Sequence, residues 1–193
     1  MKKISIVSII SILLYFSAVT FFLITKKDIA LTLWELMTIA GVLVYTVLLA
    51  KICDVFNCNG LYKRLISIFL SCACTLTSAA HIINITVTRK LISQGVNVPS
   101  YFRIGCWPSV EMAADYLAWG LFIGLAFLCL GIAINKEDCK FIKYLSIITG
   151  MLCVSGFIAA ICINENLWYI APVGYGIIPI TICIKLIKRE KIN

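Results

Sequence analysis

Six long apolar stretches, separated by short polar or charged breaks, run along the chain: Ile4–Thr25, Ile29–Ile52, Leu65–Thr88, Pro108–Ile134, Phe141–Ile163 and Leu167–Ile187. Each is close to the roughly 20 residues that a helix needs to cross a hydrocarbon core about 30 Å thick. None alternates polar and apolar positions as a barrel strand must. The pattern therefore predicts an all-α membrane protein with six transmembrane helices in one bundle. The breaks are Lys26-Lys-Asp28, Asp54–Leu61, Arg89–Cys106, Asn135–Lys140 and Asn164-Glu-Asn166, rich in the residues that end helices. None is long enough for a soluble domain, so residues 1–193 read as a single integral membrane domain. The first stretch follows Met1-Lys-Lys like a signal peptide, but it is long and no Ala-x-Ala site follows, so it reads as an uncleaved span.

The fourth stretch has the most informative pattern. Glu111 and Asp115 are four apart and share one helix face. Ala113, Gly120, Gly124 and Gly131 fall on roughly the opposite face, where small side chains let another helix pack closely. Acids on one side and a small-residue groove on the other predict protein on both sides, which places this helix at the bundle centre. The third stretch carries Ser67, Cys74, Thr77, Ser78, His81 and Thr88 on one broad face, with Asn84 at its edge. Lipid cannot satisfy such a stripe, so it must face protein or water. In the fifth, Ser146, Gly150, Cys153 and Ala160 form a second small-residue stripe, and in the sixth, Pro172, Gly174, Gly176 and Pro179 should loosen the helix.

Charge sets the orientation. With six helices both termini lie on one side, together with Lys2, Lys3, Lys51, Lys63, Arg64, Lys136, Lys140, Lys143, Lys185, Lys188, Arg189 and Lys191, twelve of the 17 basic residues. The other side holds Lys26, Lys27, Arg89, Lys90 and Arg103. The excess predicts a plasma-membrane protein with both termini cytoplasmic and the Arg89–Cys106 loop outside. At 1.5 Å per residue, Glu35, His81 and Asp115 then lie about 9 to 12 Å below the outer surface, with Asn84 and Glu111 about one turn nearer to it. Three helices should thus converge on an outward-facing pocket of Glu35, His81, Asn84, Glu111 and Asp115.

Composition narrows the chemistry. The chain is 62% hydrophobic with a mean hydropathy of +1.02, too apolar for a soluble domain of this size. The net charge of +8 sits at helix ends rather than in a basic tract, so no nucleic-acid partner is expected; the expected partner is the lipid bilayer. The ten cysteines include no Cys-x-x-Cys, which disfavours a thiol oxidoreductase. Cys106 and Cys162 are both expected near the outer surface, where a disulfide could join them in an oxidising compartment. Trp107, Trp119 and Trp168 read as interface or packing aromatics. Asn84-Ile-Thr86 matches a glycosylation sequon but lies too deep to be modified.

Three functions fit these features. An acidic pocket could bind or transport a small cation, a proton or a small polar molecule, and six helices are few for an alternating-access carrier, so a homodimer would be expected. The polar groups could instead pin helix register in a structural or accessory subunit. Finally, His81 with Asp115 and Glu111 could hold a divalent metal, or act as an acid–base set, in an intramembrane hydrolase acting on a lipid-like substrate. The single histidine and the absence of His-Glu-x-x-His exclude multi-histidine zinc chemistry.

Overall fold

The computed structural model describes residues 1–135 and 139–190. It is all-helical among those residues, and six helices are long and apolar enough to cross a membrane: Lys2–Thr25, Asp28–Val55, Gly60–Ser93, Val110–Ala133, Lys140–Cys162 and Glu165–Arg189, numbered below as the first to sixth spans. Lys136 and Lys191, counted above toward orientation, lie outside the described residues. The turn residues of the sequence act as caps. Asn59 Oδ1 accepts from the Leu61 amide at 2.9 Å, Ser109 Oγ from Met112 at 3.1 Å, and Asn164 Oδ1 from Asn166 at 2.8 Å. Each satisfies an amide that the first helical turn leaves without a partner. The third span begins at Gly60 and ends at Ser93, beyond the expected Leu65–Thr88 at both ends.

Each span packs on its neighbours in sequence, and the sixth returns to the first, closing a ring. The fourth span is the inner one: 61% of its apolar window is buried, against 17% for the first. Its Trp119 reaches across the interior, with ring centroids 6.4 Å from Tyr15 of the first span, 5.8 Å from Tyr45 of the second and 4.8 Å from Tyr175 of the sixth. The expected tryptophans are packing residues in this sense. Trp107 stacks on Tyr116 at 5.1 Å, and Tyr116 stacks on Trp168 at 4.1 Å. Such pairs contribute about 0.5–1.5 kcal/mol beyond area burial.

The small-residue face of the fourth span meets the fifth. A Cβ placed on Gly120 would fall 2.5 Å from Phe157 Cβ, on Gly124 2.8 Å from Val154 Cγ2, and on Gly131 2.5 Å from Ile147 Cγ1. From the other side, a Cβ on Gly150 would lie 2.7 Å from the Gly124 carbonyl oxygen. Two backbones approach here without room for a side chain, the packing that membrane helices use in place of a hydrophobic driving force. Ala113 does not join this face and stays exposed. A π-helical turn begins at Leu117, between Ala113 and Gly120, and rotates the two faces apart.

Three spans carry such widened turns: Asn84–Thr88 in the third, Leu117–Phe122 in the fourth and Val173–Ile177 in the sixth. In the sixth the cause lies in the sequence. Pro179 has no N–H to offer the carbonyl of Tyr175, four residues earlier. The Tyr45 hydroxyl of the second span donates to that carbonyl instead. At the end of the bundle holding the termini, Arg189 closes the structure, its guanidinium 2.5 Å from Cys139 Sγ and 5.3 Å from the Phe56 ring centroid.

Candidate functional site

The buried face of the third span runs Ile66, Leu70, Ala73, Thr77, Ala80–His81, Asn84 and Thr88, the three- and four-residue rhythm of an inward helix face. Ser67, expected on that face, is exposed, and its hydroxyl donates to the Lys63 carbonyl of its own helix at 2.9 Å. The stripe therefore becomes polar and enclosed only over its second half, where it faces the second and fourth spans.

There the expected convergence occurs. His81 is 1% exposed and lies between two carboxylates from different helices: Nδ1 is 3.8 Å from Glu35 Oε1, and Nε2 is 3.4 Å from Asp115 Oδ1. Neither ring nitrogen makes a hydrogen bond of normal geometry, and Asp115 Oδ1 has no hydrogen-bond partner. Glu35 is fully buried and firmly held. Asn84 Nδ2 donates to Oε1 at 2.5 Å, and Arg89 donates to Oε2 at 3.1 Å. Asn84 is buried and committed to Glu35, which leaves its sequon closed to modification.

The sequence marks Arg89 only as a charge that sets orientation, yet it completes the site. Its guanidinium also donates to Thr32 Oγ1 at 2.7 Å and to the Asp28 carbonyl at 2.9 Å, so it joins the third span to the first turns of the second. The π-turn puts it there. The Arg89 amide bonds to the Asn84 carbonyl five residues back, so the widened turn carries both side chains to the Glu35 side. The signal in the sequence was an arginine eight residues after the only histidine, and an even helical pitch would have turned it elsewhere.

The result is a chain of charged and polar groups, Arg89–Glu35–His81–Asp115, that ties three spans together. One end is fixed by Arg89 and Asn84. The other is loose: the Asp115 side chain is 16% exposed, whereas that of Glu35 is not exposed at all.

Glu111 is buried near this chain in sequence but not part of it. It lies in the first turn after the Ser109 cap, with Oε2 unpartnered, and makes no ion pair among the described residues. The expected divalent-metal set of His81, Asp115 and Glu111 is therefore corrected. Among the described residues no three of His, Cys, Asp and Glu gather around one point. Asp115 faces one imidazole nitrogen and Glu35, outside the expected set, faces the other. The expected Cys106–Cys162 disulfide is also corrected. Both thiols are free; Cys106 is half-buried in the loop before Trp107, and Cys162 is exposed at the last turn of the fifth span.

Beside the fixed end lies a cavity of about 240 Å³, walled by Asp28, Leu31, Asn84, Arg89, Ile92, Ser93, Arg103 and Ile104. Asn84 and Arg89 line it, and His81, Glu35 and Asp115 do not. A family-model search finds no match for this chain, and no curated protein or solved structure shows detectable similarity to it. The functional reading rests on the site.

Proposed function

We propose that this chain is a membrane-embedded binding or transport protein whose working ion is a proton carried on Glu35, His81 and Asp115. The observation behind this reading is the position of His81, enclosed and within 4 Å of a carboxylate at each ring nitrogen. Glu35 and Asp115 bring two negative charges, and Arg89 offsets one of them. One proton on the set neutralises the remainder, and a buried uncompensated charge is costly at this depth. An imidazole between two acceptors can take a proton at one nitrogen and give one up at the other. The two carboxylates suit unequal roles: Glu35 is held in place, and the more exposed Asp115 is the one placed to exchange with water.

The basic residues support an arrangement in the plasma membrane with both termini cytoplasmic. The charged chain would then lie in the outer half of the bilayer. Reporter fusions check this: one after Lys188 should be active only with a cytoplasmic reporter, and one inserted after Gln94 only with an exported reporter. The reverse pattern would invert the site.

A second reading uses the same contacts. Because both oxygens of Glu35 are engaged, the network could serve only to hold the second and third spans in register, as in an accessory subunit. Proton uptake separates the two. Full-length protein in vesicles with an entrapped pH dye should admit protons under an imposed gradient. His81→Gln and Asp115→Asn should each slow uptake by about tenfold or more, as loss of a proton-transfer group does. Unchanged uptake in both variants, with unchanged melting, would leave the register role standing and end the proton reading.

A further inference from the structure

We propose that the cavity beside Arg89 is an oxyanion site that takes the phosphodiester of a lipid headgroup, with Arg103 as the principal binding residue. The cavity holds about 240 Å³, well above the roughly 10–15 Å³ that one water needs, and so has room for a phosphate group with its ester oxygens. Arg103 lines it, and only part of that guanidinium is committed within the protein. One Nη donates to the Val98 carbonyl, but Nε is buried without a hydrogen-bond partner. Arg103 makes no ion pair among the described residues, unlike Arg89, which is paired with Glu35. An arginine on the wall of a polar space, with one guanidinium nitrogen committed to a carbonyl, fits an oxyanion, because its planar fork can give two parallel bonds to one.

The surroundings point the same way. Arg89 stands on the wall, and the second span begins there, at Asp28, so the positive end of its dipole faces the space. Lys27 and Lys90 are exposed neighbours of wall residues in the chain. Locally, Arg89, Arg103, Lys27 and Lys90 stand against Asp28 and Glu35, an excess of positive charge. Asp28 on the wall makes a singly charged phosphodiester a better match than a doubly charged free phosphate. The apolar part of the wall favours a lipid source. Leu31, Ile92 and Ile104 line the cavity, and exposed Ile29 and Leu91 flank it in the chain as acyl chains would require.

The test uses the full chain in neutral detergent, with phosphatidylglycerol added and bound lipid read by native mass spectrometry. Phosphatidylglycerol should be retained by the wild type and bind about tenfold more weakly to Arg103→Gln, the loss expected for a charge-assisted bond. Arg103→Lys should recover part of it. The melting temperature of Arg103→Gln should stay within about 2 °C of wild type, since the side chain's recorded contact is one loop carbonyl. Inorganic phosphate at the same concentration should not displace the lipid; if it does, the oxyanion site stands and its occupant comes from solution. His81→Gln should bind the lipid normally, so failure of the proton reading leaves this one intact. Equal lipid binding by wild type and Arg103→Gln would overturn the proposal.

Discussion

Glu35→Ala should destabilise the protein by about 3–5 kcal/mol, because it leaves the Arg89 guanidinium and the Asn84 amide enclosed without their carboxylate. His81 would lose one of its two acidic neighbours in the same step. The loss should appear as a large fall in the thermal midpoint of the purified protein. Glu35→Gln should fall less, since an amide oxygen can still accept from Asn84, but it cannot match the guanidinium charge. Removing both charges in Glu35→Leu/Arg89→Met should cost clearly less than the two single changes added together, because neither partner is then left uncompensated. If the double variant shows simple additivity, the ion pair is not coupled and Arg89 belongs with the ordinary surface charges.

The second large effect should come from Gly150→Val. The side chain would enter where the fourth and fifth spans touch through their backbones, with the new Cβ 2.7 Å from the Gly124 carbonyl oxygen and 2.5 Å from Leu128 Cγ. Leu128 can turn aside, but the carbonyl belongs to a helix and cannot. The two spans must separate along the whole glycine seam, and a cost at or above the usual 1–3 kcal/mol of overpacking is expected. Gly60→Ala is the matching control. An added Cβ there meets nothing within 4 Å, so its midpoint should stay the same or rise slightly. A fall for Gly60→Ala equal to that for Gly150→Val would mean that the seam is not what makes Gly150 sensitive. Both measurements suit one gel-filtration and melting series.

Much of this architecture could be read from the chain. The number of spans followed from the length and apolarity of the stretches, because the bilayer leaves a helix few alternatives. The glycine seam was legible at Gly120, Gly124 and Gly131, which lie within or after the π-turn, and illegible at Ala113, which lies before it. The common level of Glu35, His81 and Asp115 could be read from depth, since 1.5 Å per residue fixes height whatever the rotation. Rotation was the harder quantity. Arg89 was missed because a turn with an extra residue turns every later side chain, and nothing in Asn84–Thr88 announces one. Glu111, four residues before Asp115 on the same helix, does not gather with His81 and Asp115 into a metal-holding group among the described residues.

The proline at position 179 makes the sixth span depend on its neighbour. A carbonyl that its own helix cannot serve is answered by the hydroxyl of Tyr45, so the two helices share a latch across the interior. Withdrawing that hydroxyl would strand a bare oxygen in hydrocarbon at a cost of about 1–3 kcal/mol. The second span carries Glu35 one way and Tyr45 the other, and so acts as a common shaft. A rotation that disturbed the charged chain would also pull on the bend below it.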